Sequence, residues 1–170
     1  MSGGISRRAG MRRYIGMAIP PFQAFLDDHR DDVYRYLVAA VGPADADDCF
    51  QETFLSALRA YPDLRRNSNL RSWVLTIATR KAIDAQRART RRPIPVPEAL
   101  DGAVDPSHES DQQLWGLVRG LPTKQRAAVV LRFVNDLPHE EIGQIIGCSE
   151  EAARRNLHEG LKKLKEVWKG

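Results

Sequence analysis

An all-α fold, in two small helical domains joined by a proline-rich linker, is predicted by three observations. Apolar residues recur at intervals of three and four through most of the chain, and alternating strand patterns are missing. Pro93, Pro95, Pro97 and Pro106 fall in one stretch, PIPVPEALDGAVDPSHES, which neither helix nor central strand is expected to tolerate. Glycine or proline also punctuates the helical runs, as at Gly42, Pro43, Pro62, Pro122, Pro138 and Gly147. The resulting map is a tail of residues 1–18 expected to be disordered, a first unit of 19–92, a linker of 93–110 and a second unit of 111–170. Each unit lies near the lower size limit for folding alone.

In the first unit, Phe22, Phe25, Leu26, Val33, Leu37 and Val41 outline one helix or a helix pair, ended by Gly42 and Pro43. The next helix, about Ala44 to Tyr61, is expected to bury Phe50, Phe54, Ala57, Leu58 and Tyr61 on one stripe. Asp47, Asp48, Gln51, Glu52 and Arg59 then form its opposite face. After Pro62 and the polar turn RRNSN, a third helix runs from about Leu70 to Arg89. Leu70, Trp73, Val74 and Ile77 make its first half apolar, while Lys81, Arg87, Arg89 and Arg91 make its end basic.

In the second unit, Asp111 to Arg119 forms a short helix, and Pro122 opens a helix carrying Ala127, Val130, Leu131 and Val134. Pro138 opens a short helix with Ile142, Ile145 and Ile146 inward. Gly147 supplies a left-handed turn and Ser149 caps a longer helix. Short helix, glycine turn and capped helix make a helix-turn-helix. With Ala153, Leu157, Leu161, Leu164 and Trp168 expected inward, the exposed face shows Glu150, Glu151, Arg154, Arg155, Asn156, His158, Lys162 and Lys163. Arginine reaches guanine edges or phosphates, asparagine pairs with adenine and lysine neutralises phosphate, so this surface suits a major groove.

Composition narrows the function classes. The apolar fraction of 42% supports packed cores in a chain of 170 residues. Two cysteines, Cys49 and Cys148, sit inside apolar helical patterns, which gives no support to a disulfide framework or a cysteine zinc site. The apolar stretch Tyr14 to Phe22 is short and broken by Pro20 and Pro21. No later segment approaches a membrane span, so a soluble cytoplasmic protein without membrane contact is expected.

The net charge is +4, but its distribution says more. Asp45, Asp47, Asp48, Glu52 and Asp63 make one segment acidic, and Lys81 to Arg92 is strongly basic, so two different partners are expected. Asp48 and Glu52 at i, i+4 could together hold Mg²⁺, as in a helical nucleotide hydrolase. The neighbouring helix brings Arg80, Lys81 and Arg87 in place of further carboxylates. His29, His108, His139 and His158 fall into no metal-ligand spacing, and no phosphate loop or nucleophile elbow is visible. No cofactor, metal or catalytic residue is therefore assigned.

DADDCFQETFLSALRAY, LRSWVLTIATRKAIDAQRARTRR and LPTKQRAAVVLRFVNDLPHEEIGQIIGCSEEAARRNLHEGLKKL closely resemble sigma factors of bacterial RNA polymerase, specifically the extracytoplasmic-function (ECF) group of the sigma-70 family. The resemblance extends from Phe22 to Trp168 and implies a promoter-specificity subunit without catalysis of its own. The first unit corresponds to sigma region 2 and the second to region 4. Asp47, Asp48, Gln51 and Glu52 are implied to dock on the polymerase β′ clamp helices. Arg66, Asn67, Ser68, Asn69, Arg80, Lys81, Asp84, Arg87 and Arg89 are implied to meet the minus-ten element, with the loop from Arg65 to Asn69 selecting bases and Trp73 serving the core. Ser149, Glu151, Arg154, Arg155, Asn156, His158 and Lys162 are implied to read the minus-thirty-five element, and region 4 to dock on the β flap. Partners are thus core RNA polymerase, promoter DNA and an anti-sigma protein.

This chain departs from the family pattern at Ala152 to Asn156, at Glu159, where a basic residue is common, and at Arg80, where asparagine is common. A helix-turn-helix regulator without productive polymerase docking is the alternative function.

Overall fold

The computed structural model describes residues 19–65, 68–91 and 106–169, with the side chains of 106–108 left aside; the tail and most of the expected linker lie outside this range. Among the described residues seven α-helices run in order: α1 (Phe22–Val41), α2 (Pro43–Ala60), α3 (Leu70–Arg91), α4 (Pro106–Arg119), α5 (Thr123–Phe133), α6 (His139–Ile146) and α7 (Glu150–Lys169). A 3-10 turn, Tyr61–Asp63, follows α2, and the described residues include no strand.

Helices α1, α2 and α3 form a three-helix bundle. The expected helix or helix pair of the first segment is one continuous helix, and Gly42, at φ 89°, serves at once as the end of α1 and the start of α2. Pro43 follows at the first helical position, where its missing N–H costs nothing. Phe25 is fully buried at the centre of an aromatic cluster. Its ring lies 5.2 Å from Tyr61, 5.7 Å from Trp73 and 6.1 Å from Phe54. Trp73 therefore serves the core of the bundle. Tyr61 also ties the 3-10 turn to the residues just ahead of α1 by donating its hydroxyl to the Pro20 carbonyl.

Helix α4 begins at Pro106, so Pro106 to Ser110, expected in the linker, are helical. Proline is tolerated there because it opens the helix instead of interrupting it. Helices α5, α6 and α7 pack on one another, with Leu131, Ile142, Ala153 and Leu157 among the buried side chains. Gly147 closes α6 in the left-handed conformation, φ 75° and ψ 42°, and Ser149 Oγ accepts the Ala152 N–H at 3.1 Å as the cap of α7. A β-carbon at Gly143 would lie 2.7 Å from the Cys148 carbonyl oxygen, so only glycine lets the turn fold this closely onto α6.

Three expected inward positions are exposed. Leu58 is 50% exposed on α2, and Leu161 and Trp168 stand out on α7. On α7 the stripe is covered in part, with Leu164 packed at the edge of the core and Trp168 beside Gly116 and Leu117 of α4; the inward place one turn after Ala153 and Leu157 goes to buried Gly160, against Val129 and Gln125.

The two units do not stand apart. Helix α6 lies against α3, and α4 and α5 lie against α1, so the buried apolar residues of both halves form one continuous core. A polar seam accompanies it: Asn135 Nδ2 donates to the Asp32 carboxylate at 2.8 Å, and Ser72 Oγ to Glu141 at 3.3 Å.

Candidate nucleic-acid and protein interfaces

The exposed face of α2 carries Asp47, Asp48, Gln51 and Glu52 together, as the helical spacing requires. The opposite face is spent on the bundle through Ala46, Cys49, Thr53, Phe54 and Ala57. Sequence reasoning missed two apolar members of the exposed face: Leu55, 47% exposed, and Leu58. Leu55 follows Gln51 by four residues, and that spacing was the available signal. Tyr34 of α1 borders the same surface, its ring 5.9 Å edge-on from Phe50. The hydrogen bond and charge of Asp47 raise the Tyr34 hydroxyl above its ordinary pKa. An apolar centre with an acidic, hydrogen-bonding rim has the chemistry to suit a basic protein partner.

Glu52 of the same face has a basic neighbour. The charged group facing Glu52 from α3 is Lys81, with Nζ 4.0 Å from the carboxylate. Among the described residues no three ligand-type side chains converge. Burial pushes the Cys49 thiol up to about 11, helped by Asp45, Asp48, Asp84 and Glu52, so it stays protonated.

Helix α3 separates its basic residues into two sets. Arg80, Asp84, Arg87 and Arg91 fall at i, i+4, i+7 and i+11 and are all exposed, which makes one open stripe. Lys81 and Arg89 turn toward α2, where Arg89 Nε sits 2.8 Å from Asp45. In the preceding loop, Arg66 and Asn67 lie outside the described residues. Ser68 closes a turn on Arg65, and Asn69 Oδ1 accepts the Ser72 N–H at 3.2 Å, capping α3. The Asn69 side chain thus has a structural task that competes with base selection.

On α7, Glu151, Arg154, Arg155, His158 and Lys162 are exposed along one side, beginning beside the exposed cap Ser149. Arg154 reaches back to Glu150 at 2.8 Å. Asn156 is half-buried on the flank, its Nδ2 donating to the Ala152 carbonyl at 2.9 Å. Glu159 turns to α5, where it accepts from Gln125 Nε2 at 3.2 Å. The acidic residue that departs from the family pattern is thereby partly engaged by its own fold.

Two family models match this chain: Sigma-70 region 2 over residues 25–92 and Sigma-70, region 4 over residues 111–164. The RNA polymerase sigma factor SigV of Bacillus subtilis is 30% identical, over 82% of this chain and 86% of its own length. The RNA polymerase sigma factor CarQ of Myxococcus xanthus is 32% identical, over 92% and 94%. Among solved structures, the sigma factor RpoE crystallised with the anti-sigma factor NepR from Bartonella quintana superposes with a TM-score of 0.68 at 20% identity, covering 87% of this chain and 96% of that one. CnrH, solved with the cytosolic domain of CnrY, gives 0.69 at 20% identity, with 87% of each chain covered. These structures share the fold. With both family regions matched in order and relatives aligned over most of their length, the chain belongs to the ECF group of sigma-70 RNA polymerase sigma factors, the subunits that direct transcription initiation.

Proposed function

We propose that the three exposed faces divide the work of initiation. The α2 face, with Asp47, Asp48, Gln51, Glu52 and Leu55, docks on the β′ clamp helices of core polymerase. The α3 stripe of Arg80, Asp84 and Arg87, with the loop before it, meets the minus-ten element and retains the displaced strand. Strand opening costs a few kcal/mol per unstacked base, which base stacking and phosphate contacts offset. The α7 face, from Ser149 to Lys162, reads the minus-thirty-five element in the major groove. Lys81 and Arg89, turned toward α2, set the charge of the bundle and contribute less to DNA.

The protein supplies no catalytic group and works in the cytoplasm, where the polymerase is. No described helix is long and apolar enough to cross a membrane. Residues 19–92 and 111–170 act as the two functional units, joined by 93–110, whose last five residues open α4. An anti-sigma protein is a further partner, as NepR is for RpoE in its crystal structure.

The observation that supports this reading is that α2 exposes an acidic row and α3 a largely basic one, on two helices of the same bundle. Run-off transcription with the purified chain, core polymerase and a pool of genomic promoter fragments tests it. Discrete RNA starts sharing two upstream elements are expected. Absence of starts despite core binding would favour a regulator that sequesters polymerase.

A further inference from the structure

Asn135 joins the two units at a place where neither uses its side chain internally. It lies in the turn between α5 and α6, is 0% exposed, and its Nδ2 donates both to the Asp32 carboxylate at 2.8 Å and to the Asp32 carbonyl at 3.0 Å. Arg71 of α3 holds the same carboxylate, at 2.5 Å through Nε, and also donates to the Asn135 backbone carbonyl. The contact is specific, yet it has two built-in weaknesses. Asn135 Oδ1 is buried without a hydrogen-bond partner among the described residues, and the next residue, Asp136, is held at φ 53°. Release also leaves no unpaired charge, because Asp32 and Arg71 keep each other when Asn135 leaves.

Size requires that release. Promoter elements centred about 25 base pairs apart are about 85 Å apart along B-DNA. A compact chain of this length is only about 40 Å across. The closed arrangement therefore cannot present α3 and α7 to both elements at once. The chain between Arg91 and Pro106 can extend to about 50 Å, enough for the units to part.

We propose that Asn135 is an interdomain latch, which holds the second unit on the Asp32–Arg71 pair and keeps the free protein closed until polymerase and promoter separate the units. The requirement for opening rests on the promoter reading above; the latch itself rests on the contact.

Small-angle X-ray scattering of the full chain, with circular dichroism, tests the latch in Asn135→Ala and Asn135→Asp. The second variant keeps the shape and sets a carboxylate against Asp32. Both should retain wild-type helicity and expand by several ångströms in radius of gyration, the aspartate variant more. Glu141→Gln, which weakens only the Ser72 contact, should expand less. Affinity for a duplex carrying both elements should rise about tenfold if the open fraction goes from about one molecule in ten to most of them. Unchanged scattering with helicity retained would overturn the latch. Loss of helicity in both Asn135 variants would also overturn it, by assigning the residue to the fold of the second unit. Expansion without any DNA binding, in variants and wild type alike, would leave the latch standing and count against the promoter reading.

Discussion

Asn135 donates a 2.8 Å hydrogen bond to Asp32 although 103 residues separate them, and this bond ties the turn ahead of the helix-turn-helix to α1. Burial alone would push the Asp32 carboxyl up. The Arg71 hydrogen bond and charge, then the Asn135 amide and the Arg35 charge, outweigh burial and hold it below the usual carboxylate range.

His29, one helical turn before Asp32, predicts a pH response of its own. Burial lowers its pKa below 6.5, and the charge of Arg71 acts in the same direction, while Asp28 and Asp32 oppose it. The folded state therefore binds fewer protons than the unfolded one, so stability is fully present above pH 6.5 and declines as pH falls below it. Asp32 adds a further loss only as pH falls below about 3.8. Urea unfolding between pH 7.5 and 5.5 should show the first decline in the wild type and a flatter profile in His29→Gln.

Gly143 predicts a packing penalty in the helix-turn-helix. Gly143→Ala places a methyl group against the Cys148 and Ser149 carbonyls and should cost about 1–3 kcal/mol. Gly116→Ala, on α4 with open space around it, should instead be neutral or stabilise by about 0.5–1 kcal/mol. Thermal unfolding of the two variants in parallel checks both signs.

Leu55 and Leu58 predict a loss of binding without a loss of fold. Each is about half exposed, so alanine at both positions should leave the melting temperature close to wild type. Affinity for core polymerase should fall about tenfold or more if the pair forms the apolar centre of the α2 surface. Fluorescence anisotropy with labelled chain and core enzyme measures it.

Much of the helical plan was legible because its punctuation is local. Gly42 with Pro43, Pro122, Pro138 and Gly147 each stand at an observed helix boundary, and Ser149 caps α7 as its hydroxyl predicts. The acidic α2 face and the exposed side of α7 followed from helical spacing alone. What depended on distant neighbours was not legible. Pro106 reads as a breaker until the helix is seen to start on it, and Leu58, Leu161 and Trp168 read as core but stand exposed in the folded chain. Lys81 and Arg89 joined the basic stripe in sequence but turn to Glu52 and Asp45 across the bundle. The docking of the two units joins a shared apolar core to an asparagine amide in a turn, and no periodicity reveals either.

The separation of faces is tested most directly by measuring core-polymerase affinity and promoter opening side by side for two double variants. Arg80→Ala with Arg87→Ala should reduce opening, read by 2-aminopurine fluorescence in the minus-ten element, about tenfold or more while leaving core affinity within about twofold. Asp48→Ala with Glu52→Ala should lower core affinity about tenfold or more, and opening at saturating polymerase should then approach wild type. Equal losses of both functions in both variants would contradict the assignment of polymerase to α2 and DNA to α3.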